Sequence, residues 1–431
     1  WDNDLRDVIY HESQDEEVVI TAINGDKITI DRPLVYDHDA PRADLSAYVA
    51  NTTRNITIAS EGGEDTPVNQ RGHVMLMNSD SDVRYAAFDD LGRTDKSEPA
   101  FDVNSLSSVT ADSNVKGRYP LHFHRTGTED QDSPAMAVGN SVSGSPGWGF
   151  AQHSGNVNMI GNVAFGVFGA AFVAEDGDET GTWLGNIAIR TEGIAYGDHS
   201  VKDGDDVARH DNGRTGEGFF FAGRLVEAAE NVAANTTHGF VWMHRSATAR
   251  NDADTLDHPE IAFGSDSLRT EQAPIQGFYN NVAFGTEVGL IVVKSGPQQN
   301  HDLRSVLDGF LNWETGEGVS LSYTAHYTLK DFDLIGAVSN RAPGASTGLS
   351  ISTNAFDIVV NGLTVEDFNV GVNLSGGFTF PVRNSDVNNI LIDVTMIDIV
   401  KQYEGFNSAQ HQILTESQLT AGRLNFLMSG D

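Results

Sequence analysis

The chain has 431 residues and a net charge of −34, from 61 acidic and 27 basic side chains. Such acidity argues against a nucleic-acid partner, because phosphate binding needs a basic footprint. The absence of cysteine excludes disulfides and thiol chemistry, and no apolar run approaches the 18 residues of a membrane-spanning helix.

The balance suits a soluble protein in salty surroundings, or one that holds cations. An anionic substrate then needs a local basic or metal-bearing patch to receive it. The chain opens Trp1-Asp2-Asn3, without a methionine, so a processed chain with any signal peptide already removed is expected. Glycine outnumbers proline 44 to 12, which favours a turn-rich fold over a helical bundle. No long stretch carries a 3.6-residue period.

In chain order, the first 60 residues read as strands, such as Val18-Val19-Ile20 and Ile28-Thr29-Ile30. Residues 1–50 are expected to form a strand-rich N-terminal cap. Residues 51–320 carry a repeat. An Asn followed by an apolar or small pair recurs at Asn140, Asn162, Asn186, Asn231 and Asn281, with steps of 22, 24, 45 and 50 residues. The last two steps read as double coils, the final one with an extra loop. After each Asn comes a turn and a second apolar strand, as in Gly149-Phe150-Ala151, Ala171-Phe172-Val173, Gly239-Phe240-Val241 and Gly289-Leu290-Ile291. Short strands punctuated by Gly and Asn at this spacing predict an all-β, right-handed parallel β-helix with coils of about two dozen residues. Asn suits the corners, because it tolerates left-handed backbone and stacks in ladders between coils.

Residues 321–431 continue as C-terminal coils and a tail, with Leu334-Ile335-Gly336, Ile358-Val359-Val360 and Ile390-Leu391-Ile392 as short strands. Polar insertions are expected to project at 91–115, 196–216, 245–275 and 295–318. Each coil needs only its neighbours, so the whole length reads as one domain.

Aligning the coils on their second strand puts Leu121-His122-Phe123-His124 opposite Phe150-Ala151-Gln152-His153 and then Phe172-Val173-Ala174-Glu175. The same alignment extends to Val241-Trp242-Met243-His244 and Ile291-Val292-Val293-Lys294. Stacked coils lie about 4.8 Å apart, so His124, His153 and Glu175 become a column. His122 and His124, two apart in a strand, face the same side. Imidazoles and a carboxylate so placed fit a divalent metal, zinc foremost. Isolated histidines such as His38, His210 and His258 are read as structural.

Beside the column lies Glu175-Asp176-Gly177-Asp178-Glu179, either a solvated acidic turn or a place for calcium on Asp176, Asp178 and Glu179. Glu175 or Asp176 is also a candidate general acid or base. Arg118 and Arg125 flank the histidines and suit carboxylates or sulfates of a sugar chain, and Tyr119 is a candidate proton donor to a leaving oxygen. Trp148, Trp183 and Trp242 are candidate platforms for sugar rings, with core packing as the competing role.

Four motifs carry a resemblance. They are Arg71-Gly72-His73-Val74-Met75, Gly92-Arg93-Thr94-Asp95-Lys96-Ser97, Gly117-Arg118-Tyr119-Pro120-Leu121-His122-Phe123-His124 and Ser145-Pro146-Gly147-Trp148-Gly149-Phe150. Together, over about residues 50–195, they resemble the β-helix region that follows the G8 domain in the cell-migration-inducing hyaluronidase, transmembrane protein 2 and fibrocystin-like group. Ahead of residue 50 only a strand-rich remnant of a G8 domain is expected. The resemblance implies a parallel β-helix, an extracellular or periplasmic location and, for some members, depolymerisation of hyaluronan. His73, His122 and His124 sit in the matching motifs, and His153 follows one.

The expected function is therefore cleavage of an acidic polysaccharide by a monomer with no membrane span. A metal would sit on His122, His124 and either His73 or His153. In hydrolysis Glu175 serves as acid or base, and in β-elimination His153, Tyr119 or Lys294 removes the C5 proton. His244 joins the aromatic residues as a candidate substrate contact. The competing expectation is a non-enzymatic protein that binds glycans or other proteins, with a structural metal.

Overall fold

A computed structural model describes residues 14–100, 109–194, 212–244, 272–294, 303–336, 346–376 and 389–415. Within these, 26 strands join one continuous parallel sheet that winds into a right-handed parallel β-helix, as the repeat predicts. The early coils have three strands each, and each strand pairs with its counterpart one coil on. One face runs Val74–Leu76, Leu121–Gly127, Phe150–Gly155, Phe172–Ala174, Glu217–Phe221 and His238–His244. From Gly277–Lys294 onward the strands lengthen and bend through the corners.

Period-two alternation decides what enters the core. Phe150, Phe172, Phe219 and Phe240 point inward and stack ring on ring at 4.8, 4.9 and 4.7 Å. Each such contact adds about 0.5–1.5 kcal/mol beyond the area it buries. A second inward stack joins Trp183, Phe221 and Trp242. Trp183 and Trp242 are thus core residues, not sugar platforms. One apolar cluster continues from Ala86 to Leu391.

The Asn corner forms the expected ladder, and it corrects the spacing. Asn140, Asn162, Asn186, Asn231 and Asn281 bond directly in that order, each donating its backbone N–H and side-chain amide to the side-chain oxygen of the next. The steps of 45 and 50 residues are therefore single coils enlarged by insertions, not double coils. Ile187–Glu192 pairs with Val232–Thr236 with no coil between.

The insertions also differ from expectation. Residues 101–108, 195–211, 245–271 and 295–302 lie outside the described residues, and with them His210 and His258. Residues 91–100 do not project. Leu91, Thr94, Lys96 and Ala100 are buried. Gly147 makes room for them, since a Cβ there would stand 2.3 Å from the Thr94 carbonyl oxygen. Most of 303–318 is strand Ser305–Ser322, its inward positions Ser305, Leu307, Phe310 and Asn312 stepping around the Gly309 turn between a paired strand on each side.

The N-terminal segment holds a separate antiparallel hairpin, Ile20–Asn24 with Lys27–Ile30. Instead of capping the end of the stack, the segment runs along its flank. Asp15 meets Arg190, Arg42 pairs with Glu366, Tyr48 stacks on Phe284, and Ser141 donates to the Thr52 carbonyl. His38 contacts Glu16 in this segment, a structural role as expected.

One buried carboxyl gives a pH prediction. Burial, helped by nearby Glu287, pushes Glu317 up to about 7 despite the Ser320 hydroxyl. The folded state therefore holds this proton more tightly than the unfolded state. Stability should be greatest below about pH 4.5 for this group and fall as pH rises toward 7. Thermal melts of wild type and Glu317→Gln across pH 4–8 test this. A flatter pH dependence in the variant is expected, and an unchanged slope would remove Glu317 as its source.

Candidate metal centre

The site lies on the outer side of the face that begins at Val74–Leu76. His122 pairs with Ala151 and His124 with His153. Glu175 follows in the next coil, its backbone N–H donating to the Gln152 carbonyl. The expected register of His124, His153 and Glu175 therefore holds. It stops there, because the following rungs of that column are Ala222, opposite Glu175, and then Met243 beside Trp242. His244 and Lys294 pair with each other one residue further along. Three rungs from Glu175, Lys294 stands about 14 Å away along the stack. The apolar run after Glu175 confines the polar cluster to three coils.

The strands bend sharply after each histidine. Arg125 and Ser154 both adopt left-handed backbone, with φ of 52° and 48°. The turn lifts Arg125 away into solvent, while the rings of His124 and His153 meet edge to face at 4.8 Å.

His122, His124 and His153 bring one nitrogen each within 4.8 Å of one another. His122 is fully buried, and its Nδ1 lies 2.8 Å from the Gly117 carbonyl oxygen. That contact makes Nδ1 the protonated nitrogen and leaves Nε2 with its lone pair facing the cluster. Nε2 of His122, Nδ1 of His124 and Oε2 of Glu175 are all buried without a hydrogen bond. Glu175 Oε2 lies 3.9 Å from His122 Nε2 and 3.4 Å from His153 Nδ1. Convergent buried atoms without hydrogen-bond partners are costly unless something fills the space between them.

The electrostatics follow from burial and contact. Burial lowers His122 to about 4, against the pull of Glu175. Burial and the neighbouring His153 also lower His124. For His153 burial acts downward too, but contacts to Asp176 and Glu175 overturn it and raise the ring to about 11. Burial works to raise Glu175, yet His153 holds it down at about 2. The cluster thus pairs two neutral imidazoles with a carboxylate–imidazolium contact.

Other expected residues fall elsewhere. His73 is not part of the histidine group. It sits on the preceding coil, lowered to about 4 by burial and then by the charges of Arg93 and Arg118. Tyr119 is fully buried and stacks on Trp148 at 4.5 Å. It cannot meet a leaving oxygen at the surface, and Trp148, itself 2% exposed, offers no sugar platform. Instead the Lys96 ammonium lies over the Trp148 ring at 3.8 Å. This layer supports His122 from behind, with the Tyr119 and His122 rings 5.4 Å apart. The side chains of His244 and Lys294 lie outside the described residues.

The acidic run is solvated only in part, with Asp176 exposed and Glu179 turned inward. Glu179 is fully buried and accepts hydrogen bonds from the backbone N–H groups of Asp176, Gly177 and Ser154. Burial, with Asp178 and Asp176 nearby, raises it to about 8. Its oxygens anchor the turn rather than face outward. Asp176 stands 3.4 Å from His153 Nε2 and Ser154 donates to it, so Asp176 orients His153. The Asp178 Oδ1 atom is buried without a hydrogen bond. Asp176, read from sequence as a candidate acid or base or a calcium ligand, stands here as the partner of His153. The Gly117 carbonyl and Lys96 were not singled out as site residues, although both stand in the quoted motifs.

Comparison with known proteins agrees with this region. Residues 103–290 match the family model described as the CEMIP beta-helix. A G8 domain-containing protein of Dictyostelium discoideum is 29% identical over 171 residues, covering 39% of this chain and 10% of that protein. A second from the same organism is 31% identical over 169 residues, with 39% and 10% covered. Communication mutant protein F of Dictyostelium discoideum is 27% identical over 169 residues, with 39% and 13% covered. The matched stretch thus spans about a tenth of the length of these relatives. No described helix is long and apolar enough to cross a membrane.

Proposed function

We propose that the chain is an extracellular, metal-dependent protein that cleaves an acidic polysaccharide, of the hyaluronan or other uronate-containing type. The observation that supports this reading is the convergence of His122, His124, His153 and Glu175, with His122, His124 and Glu175 each presenting a buried atom without a hydrogen bond. Three imidazoles and a carboxylate suit zinc, and a bound zinc supplies a Lewis acid and lowers the pKa of a coordinated water. Gly117 and Asp176 hold the His122 and His153 rings in place from behind, as outer partners of ligating histidines do. Glu175 is the group placed to accept a proton from water.

Hydrolysis is favoured over β-elimination. Elimination needs a base at the sugar C5, and Tyr119 is buried, His153 is taken up by Glu175 and Asp176, and Lys294 is about 14 Å along the stack. A panel of acidic polysaccharides, followed by product size and by absorbance of an unsaturated uronate, tests this. Shortened products without the absorbance are expected. Absorbance would make the protein a lyase, and intact polymer in every case would remove the enzymatic reading.

One observation favours a second reading. Glu175 lies close enough to His122 and His153 to close a tetrahedron itself, which would make a structural metal in a glycan- or protein-binding β-helix. The two differ in what the metal holds. Cobalt substitution should give the absorption of a site with an exchangeable water if the site is catalytic, and a spectrum insensitive to added azide if Glu175 closes it.

A further inference from the structure

We propose that Arg93 and Arg118, with His73 beside them, form a subsite that grips one carboxylate of the polymer next to the histidine cluster. This deepens the glycan-cleaving reading and takes its choice of ligand from it.

The two arginines stand together without an acidic partner among the described residues. With 61 acidic and 27 basic residues, carboxylates are abundant. Some described arginines find them, as Arg32 does with Glu16, Arg84 with Asp82 and Arg304 with Asp357, and Arg71 spends its guanidinium on three backbone carbonyls. Arg93 and Arg118 have no carboxylate partner among the described residues. Their backbones touch, with the Arg93 N–H donating to the Arg118 carbonyl at 2.9 Å. Their charges also meet, since burial and then Arg93 lower Arg118. The Nε–H of Arg93 is buried without an acceptor. The Arg118 guanidinium reaches only the Lys116 carbonyl, at 3.3 Å. Both side chains and His73 are half-buried, so the group opens to solvent.

Two like charges held together, with donors unspent, lack an anion. A guanidinium fork matches a carboxylate in two parallel hydrogen bonds, and a second guanidinium doubles the attraction. The location suits a substrate. Arg118 follows Gly117, whose carbonyl holds His122, and His73 is next to Val74, which pairs with Leu121 beside His122. Arg118 stands in the coil of His122, four residues before it, and His73 in the coil before, so a polymer that reaches the histidines passes this pair.

The test is calorimetric binding of a hyaluronan hexasaccharide and of the same sugar with its carboxyls reduced to alcohols. Wild type, Arg93→Gln and Arg118→Gln are compared with and without zinc. Wild type should prefer the charged sugar. Each variant should bind it about tenfold more weakly, as expected for a lost charged hydrogen bond, while the reduced sugar and zinc affinity stay unchanged. Equal binding of both sugars by wild type, or undiminished binding of the charged sugar by both variants, overturns the subsite. If a glutamine variant does not fold, Arg93→Lys and Arg118→Lys keep the charge but lose the fork. They should still weaken the charged sugar selectively, and unchanged binding overturns the proposal. Failure to bind zinc, with the arginine effects intact, refutes the metal centre and leaves the subsite standing.

Discussion

Replacing His122 by alanine is expected to lower zinc affinity by more than about 100-fold, beyond what the loss of an outer partner costs. Polysaccharide cleavage should vanish with it. Of the proposed ligands, His122 is the one most strictly set by the fold, with Nδ1 committed to Gly117 and Nε2 turned inward. Glu175→Gln separates the roles. A glutamine oxygen can still sit near zinc but cannot take a proton, so zinc should remain bound while kcat falls about 100- to 10,000-fold. Metal analysis by mass spectrometry and single-turnover cleavage measure the two effects. Loss of zinc in Glu175→Gln, with no cleavage by wild type, would instead match a structural metal. Full zinc retention in His122→Ala would sink the centre altogether.

Much of this site was legible in the chain because a solenoid turns sequence spacing into geometry. His122 and His124 share a face by strand period, and His153 and Glu175 follow once one coil is laid on the next. The register of these four came out as read because the strands around them, Leu121, Phe150 and Phe172, are the inward apolar markers of three adjacent coils. Beyond Glu175 the same alignment failed by one residue. The coil Glu217–Phe221 intervenes there, and its Phe219-Phe220-Phe221 run has no alternation to mark which residue faces in. His244 and Lys294 were misplaced for that reason. His73 was linked to the site by motif alone. Strand register puts it a coil away, among arginines that disfavour a second positive charge. The tryptophans illustrate a different limit. A Trp in a strand reads the same whether it points in or out, and only stacking against Phe221 or Lys96 reveals that it is core. The 45- and 50-residue steps misled because an insertion and a missing coil give the same count. The ladder bonds distinguish them.

That ladder supports the second large effect. Asn186 is fully buried. Its side-chain oxygen accepts from the Asn162 N–H at 3.0 Å and the Asn162 amide at 2.9 Å. Its own amide donates to the Met159 carbonyl at 2.8 Å and to Asn231 at 2.9 Å. Alanine would strand these partners inside the stack with no route to water. At about 1–3 kcal/mol for each buried group left unsatisfied, a destabilisation of roughly 3–5 kcal/mol is expected. Asn158→Ala is the control, because half-buried Asn158 supplies one described bond, to the Thr182 N–H, and should cost about 1 kcal/mol. Asn186→Asp keeps the acceptor but loses the donor, and sets a carboxylate against Met159 and Asn231 oxygens. Its folded state should hold a proton more tightly than its unfolded state. The variant should therefore weaken further as pH rises above about 4. Urea unfolding of the three variants at pH 4 and pH 7 measures this. Equal stability of Asn186→Ala and wild type would mean that the corner is held by the strands on either side of it rather than by the amide ladder.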